Sequence, residues 1–141
     1  MYKVVKFDGA DSIHMSVAAA IRKAVFVEEQ GVDETLEWDG RDNEATHYLL
    51  FEENKAIGTA RHRTTPEGVK LERFAVLHAY RNKGTGSILL AAVMNELPKE
   101  GVTIYLHAQE KAVSYYLRAG FKVHGEAFYE AGIRHFKMVL F

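Results

Sequence analysis

The stretch Val69–Leu97, with the sequence VKLERFAVLHAYRNKGTGSILLAAVMNEL, joins an apolar strand pattern to an apolar helix pattern through a short turn. The turn, residues 81–86 (RNKGTG), contains two glycines that allow the backbone to bend tightly. Backbone N–H groups at the start of the helix can then point at one negatively charged group, and the helix dipole adds to the attraction. Arg81 and Lys83 place positive charge beside these groups. The stretch predicts a strand–turn–helix unit whose turn either binds an anion or only connects the two elements.

The composition limits the functions that the chain can serve. Its 141 residues are the length of one domain, so we expect a single domain over residues 1–141. The 18 Lys and Arg residues nearly balance the 19 Asp and Glu residues, and the formal charge of −1 argues against nucleic-acid or membrane partners. There is no cysteine, which excludes disulfides, thiolate metal sites and acyl transfer through a cysteine.

Neither a metal site nor export is expected from the sequence. The seven histidines are scattered, with no pair at i, i+4 and no His-Glu-x-x-His spacing, so we predict no metal. Residues 1–7 alternate apolar and charged side chains and lack the apolar centre of a signal peptide. No apolar run approaches the length that spans a membrane. We therefore expect a cytoplasmic protein.

Apolar periodicity and turn residues predict a mixed α/β chain of about seven strands and three or four helices. Strands are expected near residues 4–7, 46–51, 55–62, 69–76, 102–107, 121–123 and 135–141. Helices are expected from Asp11 or Ser12, at residues 85–97 and at residues 112–119. Because a helix connects the strands at 69–76 and 102–107, these two strands should pair in parallel. The helix at 85–97 is apolar nearly all round, which predicts that it is largely buried.

An acidic segment without clear periodicity follows the first helix. It surrounds Trp38 with eight carboxylates, at Glu28, Glu29, Asp33, Glu34, Glu37, Asp39, Asp42 and Glu44. Such a run is typical of a solvated loop, but an acidic strip with an aromatic residue also suits a cationic substrate such as an amine. The sequence favours the solvated loop and leaves the substrate site as the alternative.

The turn at residues 81–86 can be compared with three nucleotide-binding patterns. A nucleoside-triphosphate loop requires G-x-x-x-x-G-K followed by Ser or Thr, which the turn lacks. A dinucleotide fingerprint requires a third glycine where Leu89 stands. The pattern Arg/Gln-x-x-Gly-x-Gly/Ala after a strand is satisfied by RNKGTG.

With the blocks on either side of this turn, the chain resembles the GNAT superfamily of acyl-CoA-dependent N-acetyltransferases. Residues 71–76 (LERFAV) precede the turn, and residues 115–121 (YYLRAGF) resemble the family's aromatic-Tyr-x-x-x-Gly-Phe block. Residues 25–30 (VFVEEQ), with Glu72-Arg73 and Ala108-Gln109, further resemble a small branch of single-domain GNAT proteins of poorly defined substrate. Gln109 departs from the pattern, because many relatives carry Asn seven residues before the tyrosine.

The resemblance implies a GNAT fold of the α/β (α+β) class. Its mixed central sheet has about six to seven strands and three to four flanking helices, and a splayed parallel pair of strands forms the acetyl-CoA cleft. The implied activity is direct transfer of an acetyl group from acetyl-CoA to a primary amine of a small molecule or peptide, by a monomer or homodimer. The alternative is a non-catalytic acyl-CoA-binding sensor or interaction module.

The family motifs also imply roles for individual residues. Tyr116 matches the tyrosine that donates a proton to the departing CoA thiolate, and a phenol with a pKa of about 10 is protonated at neutral pH. Glu72 and Glu29 are the candidates for the general base that an amine requires, and the sequence does not choose between them. The Val76 N–H is the expected oxyanion donor. The implied cofactor-binding residues are Phe74, Ala75, Val76, Arg81, Asn82, Lys83, Gly84, Thr85, Gly86, Ser87 and Gln109.

Overall fold

One mixed sheet of eight strands runs through the fold, and the computed structural model describes residues 1–140. The strands are β1 (Tyr2–Asp8), β2 (Thr46–Glu52), β3 (Lys55–Thr65), β4 (Gly68–Val76), β5 (Ile104–Gln109), β6 (Phe121–Val123), β7 (Phe128–Glu130) and β8 (Ile133–Leu140). They lie in the order β1-β2-β3-β4-β5-β8-β6, and β7 pairs with the start of β8. Among the strands of residues 1–140, β4 and β5 are the only parallel neighbours, and the sequence predicts this pairing.

Four α-helices and one π-helix connect the strands. They are α1 (Ser12–Arg22), which runs into the π-helix (Lys23–Glu29), then α2 (Glu34–Glu37), α3 (Thr85–Asn95) and α4 (Val113–Arg118). Asp11 begins α1 because its carboxylate accepts a hydrogen bond from the His14 N–H at 3.1 Å. The mixed α/β class is therefore confirmed. None of the helices in residues 1–140 combines the length and apolar character that crossing a membrane requires.

The C-terminal part of the sheet differs most from the prediction. The segment expected only to connect the last two strands contains β7, so the sheet has one strand more than the expected six to seven. Three residues, with Tyr129 exposed at the middle position, give too short an apolar pattern to be recognised. β5 also lies two residues later than predicted. Phe141, the last residue of the predicted final strand, lies outside the described residues.

Helical layers cover both faces of the sheet. Adjacent Leu49 and Leu50 on β2 are both fully buried and belong to different apolar clusters. Leu49 shares its cluster with Ile21 of α1, whereas Leu50 shares the larger cluster with Leu89 of α3. Because successive side chains of a strand point to opposite faces, the two leucines mark the two cores between the sheet and its helices.

Helix α3 is buried or half-buried at eight of its eleven residues, in keeping with the predicted large burial, and it exposes one side. Leu89 and Val93 are buried, whereas Ala91 and Asn95 are exposed. The exposed side consists of small residues whose contact with water costs little free energy. The apolar pattern therefore predicted the burial of this helix except along that one side.

Candidate active site

A cleft of about 720 Å³ opens where β4 and β5 separate. The two strands pair only through Val69–Ile104, Lys70–Tyr105 and Leu71–Leu106. β4 then bulges against β3, with Arg73 in the left-handed region at φ +55°. Such a bulge bends the strand that carries it, and both strands continue past the last pair as the two walls of the cleft.

The Val76 backbone faces into this cleft. The N–H of Leu77, the next residue, donates to the Ile57 carbonyl of β3 at 2.8 Å. Because consecutive N–H groups of an extended chain point to opposite edges, the Val76 N–H points away from β3 and towards the gap. The Val76 carbonyl faces the same way, since it accepts a hydrogen bond from Arg81 Nε at 2.8 Å. The separation of the strands thus leaves a backbone donor available to a ligand.

The turn at residues 81–86 ends beside the cleft with the start of α3. Asn82 and Gly84 both lie in the left-handed region, at φ +63° and +78°. Gly84 is the N-cap of α3, and no side chain among the described residues caps this end. The Thr85 hydroxyl is buried and donates to the Tyr80 carbonyl at 2.8 Å, so this side chain supports the turn. The first N–H groups of α3 are thus left without a side-chain acceptor from residues 1–140, and anion binding at this helix start stays a prediction.

The two basic residues of the turn differ in their surroundings. The Arg81 guanidinium donates from Nη1 and Nη2 to the two carboxylate oxygens of Glu29, at 2.5 and 2.6 Å. The hydrogen bonds from Arg81 hold the pKa of Glu29 below its ordinary value. Lys83 is exposed, and its ammonium lies 6.0 Å from the centre of the Tyr80 ring. Arg81 is therefore engaged by the π-helix, whereas Lys83 remains at the surface.

Tyr116 belongs to α4 and lines the cleft. Its side chain is 9% exposed and packs edge to face against Tyr115 and Phe121, with ring centres 5.0 and 5.9 Å apart. Burial raises the pKa of Tyr116 well above the ordinary value for tyrosine, and the nearby Tyr115 raises it further. The phenol is therefore a proton donor throughout the physiological pH range.

Tyr115 points towards the start of α3, which the sequence did not indicate. Its hydroxyl is buried beside Ser87 and makes no hydrogen bond of acceptable geometry. A Cβ placed on Gly86 would lie 3.7 Å from this hydroxyl. A buried hydroxyl without a hydrogen bond is costly, so this atom is available to a polar group bound at the turn.

Gln109 connects the two walls of the cleft. Its amide Nε2 donates to Oε1 of Gln30 at 2.8 Å, and both side chains line the cleft. Gln30 follows the π-helix directly, so this bond joins β5 to the helical layer. Sequence motifs indicated the position of Gln109 but gave no indication of its partner.

Glu72 lines the cleft but is surrounded by cations. Its carboxylate accepts hydrogen bonds from Arg61 Nε at 2.8 Å and Arg63 Nη2 at 2.9 Å, and the Lys70 ammonium lies 3.1 Å away. Burial by itself would raise the pKa of Glu72, but these three cations outweigh it and lower the pKa to about 2. A carboxylate with so low a pKa has little tendency to accept a proton near pH 7.

Part of the acidic segment belongs to the same set of ion pairs. Glu37 and Asp42 both contact Arg22, at 2.7 and 2.8 Å, and Asp39 contacts Arg61 at 2.6 Å. We call the whole set the acid–arginine cluster; it comprises Arg22, Glu37, Asp39, Asp42, Arg61, Arg63, Lys70, Glu72 and Arg73. Glu37, Asp39 and Asp42 are therefore not free to bind an amine, because the chain's own arginines occupy them. Glu28, Asp33, Glu34 and Glu44 are exposed, as the solvated-loop interpretation predicts. Residues 1–140 contain no group of His, Cys, Asp and Glu side chains arranged to hold a metal ion.

Two histidines and a carboxylate also line the cleft, at His107, His135 and Glu130. The His107 ring on β5 contacts Glu130 of β7, with 2.6 Å between Nδ1 and Oε1. His135 on β8 is 8% exposed, and its Nδ1 donates to the Ile133 carbonyl at 2.7 Å. The Phe128 ring lies 4.9 Å from the ring of His107 and 6.0 Å from that of His135. The unrecognised strand β7 thus supplies two of the residues that contact these histidines, Phe128 and Glu130.

Comparison with known proteins agrees with this geometry. Residues 10–141 match the family model of the acetyltransferase (GNAT) domain. The chain is 36% identical over 121 residues to the uncharacterized N-acetyltransferase YjcF of Bacillus subtilis (strain 168), covering 84% of this chain and 86% of that protein.

Two solved structures share the fold. An acyl-CoA N-acyltransferase from Pseudomonas aeruginosa has a TM-score of 0.88 and 24% identity, with 99% of each chain covered. The PaiA N-acetyltransferase from Thermoplasma acidophilum, solved in complex with coenzyme A, has a TM-score of 0.69 and 17% identity, with 99% of this chain and 98% of that chain covered. At these identities the likeness concerns the fold.

Proposed function

The chain belongs to the GNAT acetyltransferase family and is an N-acetyltransferase, and from this premise we propose that it transfers an acetyl group from acetyl-CoA directly to a primary amine of a small molecule or peptide. The observation that carries the proposal is the cleft between β4 and β5, which brings the Val76 N–H and the Tyr116 hydroxyl to one space. Direct transfer fits the composition, because the chain has no cysteine to carry an acyl group.

The residues at the turn fit coenzyme A. The uncapped start of α3 offers N–H groups to a pyrophosphate, and the Tyr115 hydroxyl beside Gly86 lacks a partner that a phosphate oxygen would supply. The Val76 N–H points into the cleft and suits the thioester end of the cofactor, whereas the Val76 carbonyl is already bonded to Arg81 Nε. The PaiA structure, which shares the fold, holds coenzyme A. We therefore assign the turn to the pyrophosphate, with Arg81 and Lys83 as its charged neighbours and Gln109 beside the pantetheine arm.

The walls of the cleft supply two catalytic contributions. Acetyl-CoA provides an acetyl group activated as a thioester. The Val76 N–H donates a hydrogen bond to the thioester oxygen as negative charge develops there, and one such donor contributes about 3 kcal/mol in acyl transfer. Tyr116 gives its proton to the departing sulfur, because its raised pKa keeps the phenol protonated.

Neither Glu72 nor Glu29 has the properties of the required base. Glu72 is held ionised by Arg61, Arg63 and Lys70, and Glu29 is paired with Arg81 at two points. We propose that both carboxylates position arginines rather than accept the proton of the amine.

An amine screen with thiol release as its signal tests the proposed function. The panel contains polyamines, aminoglycosides, aromatic amines and lysine peptides, with acetyl-CoA as donor. We expect turnover with at least one class and a loss of 10²-fold or more in kcat for Tyr116→Phe. Tyr129→Phe, at an exposed tyrosine, is the matched control and should keep the wild-type rate. Coenzyme A binding without turnover for any amine would contradict the proposal, as would a Tyr116→Phe variant of full activity.

A further inference from the structure

We propose that His107 is the general base of this reaction and that Glu130 orients its ring. The inference rests on the proposed function, since only direct transfer to an amine requires this base. It concerns the point where the strands separate. Leu71 and Leu106 form the last pair of β4 and β5, so Glu72 and His107 are the first residues on the two sides of the gap.

Both side chains lie on the same face of the sheet. Lys70 pairs with Tyr105 in the strand register, and Glu72 and His107 each stand two residues further along. The Lys70 ammonium contacts Glu72 at 3.1 Å, and the rings of Tyr105 and His107 lie 5.9 Å apart. An acceptor nitrogen that approaches the opening from this face meets these two groups first.

The surroundings of the two groups distinguish them. Glu72 has three cationic partners, whereas His107 has one anionic partner, Glu130. Burial would raise the pKa of Glu130, but the hydrogen bond with His107 lowers it overall, so this carboxylate is ionised. An ionised carboxylate only accepts hydrogen bonds, which fixes the proton of the neutral ring on Nδ1. Nε2 then carries the lone pair, and no hydrogen bond to Nε2 is found in residues 1–140.

Imidazole suits this task because its ordinary pKa lies near neutrality. The ionisable groups around His107 come from four sides and include both signs of charge. They are Lys70 on β4, Glu67 before β4, Glu130 on β7, and Lys137 and His135 on β8. His135 differs from His107, since its Nδ1 donates to a backbone carbonyl rather than to a carboxylate.

The proton balance of the transfer is complete with these residues. Nε2 of His107 accepts one proton from the incoming ammonium, which frees the lone pair of the nitrogen. A bond forms between that nitrogen and the acetyl carbon, and the carbon–sulfur bond breaks. Tyr116 gives its proton to the sulfur and regains one from the nitrogen as the amide forms. The products are the acetylated amine, free thiol and one proton on His107, which passes to water.

The test compares His107→Gln with wild type, using the most active amine from the screen. We expect kcat/KM at pH 7 to fall at least 10²-fold, while the Kd for coenzyme A by calorimetry stays within about twofold. In the variant, log kcat/KM should rise by about one per pH unit from pH 6 to 9, because only the free amine reacts. Wild type should level off once the imidazole is neutral. His124→Gln, at an exposed histidine outside the cleft, is the matched control.

A second measurement does not depend on turnover. The ¹⁵N NMR signals of the His107 ring should show a protonated Nδ1 and an unprotonated Nε2 at pH 8. Glu130→Gln should change the Nδ1 signal of this ring, because the carboxylate that accepts its hydrogen bond is lost, and kcat/KM should fall about tenfold.

Some outcomes overturn the assignment. A proton on Nε2 would do so, and so would ¹⁵N signals of the His107 ring that Glu130→Gln leaves unchanged. A third such outcome is a pH profile of kcat/KM that still levels off in His107→Gln but no longer levels off in His135→Gln. Absence of turnover in wild type contradicts the proposed function instead. The NMR measurement alone then tests whether Glu130 fixes the proton of His107 on Nδ1.

Discussion

Glu72→Gln should destabilise the protein by an amount that depends on pH. The pKa of Glu72 is about 2 in the folded protein, against an ordinary value of 4.5. At about 1.4 kcal/mol per pH unit, this difference corresponds to about 3 kcal/mol of stability at pH 7. The folded-state pKa is the lower one, so the stabilisation is complete above pH 4.5 and is lost as the pH falls towards 2. Gln resembles the protonated carboxyl, and Arg61 keeps Asp39 and Asp42 as partners, whereas Lys70 loses the one ion pair that it forms within residues 1–140.

Urea unfolding of wild type and Glu72→Gln at pH 7 and pH 3 measures this effect. The expected difference in the free energy of unfolding is about 3 kcal/mol at pH 7 and about 1.4 kcal/mol at pH 3. Glu96→Gln is the control, because Glu96 forms a partly exposed pair with Lys6 at 2.9 Å and should contribute at most about 1 kcal/mol. An equal loss at both pH values would show that the ion pairs are not the cause. Full stability of Glu72→Gln at pH 7 would refute the conclusion that the ion pairs of Glu72 in the acid–arginine cluster stabilise the folded protein.

Three further predictions concern the cofactor site. Glu29→Gln should lower the Kd for coenzyme A by about two- to fivefold in calorimetry, because Arg81 no longer has to leave an ion pair; an unchanged or higher Kd would contradict this. Gly84→Ala should cost about 1–2 kcal/mol in urea unfolding, because a Cβ there has free space but φ is +78°; a neutral effect would show that the turn adapts without strain. The alkaline limb of kcat should not appear below about pH 10, since burial raises the pKa of Tyr116; a limb near pH 8 that Tyr116→Phe removes would refute this.

Local sequence patterns predicted the parts of the site that depend on local geometry. The residues within each motif lie close together along the chain, both in the glycine turn before α3 and in the block around Tyr116, so the local sequence specifies their backbone. The parallel pairing of β4 with β5 followed from the helix between them. These parts of the fold were therefore available without the structure.

The sequence did not predict contacts between distant segments. The acidic segment has the composition of a solvated loop, yet Arg22 and Arg61, each 1% exposed, bind its carboxylates from α1 and β3. Composition measures the charges of one segment and carries no information on which distant residues neutralise them. The same limit applies to His107 and Glu130, which are 23 residues apart and meet because β5 and β7 both pair with β8.

The hydrogen bond between Gln30 and Gln109 has a consequence for the rate at which cofactor enters and leaves. It links opposite walls of the cleft, so a pantetheine arm that passes between them must separate the two amides. A neutral hydrogen bond contributes about 0.5–1.5 kcal/mol, which corresponds to an open fraction of about one molecule in ten or more. Under the proposed function the bond should therefore slow association of the cofactor by at most about tenfold, and between turnovers it should hold the π-helix near β5 without trapping the product.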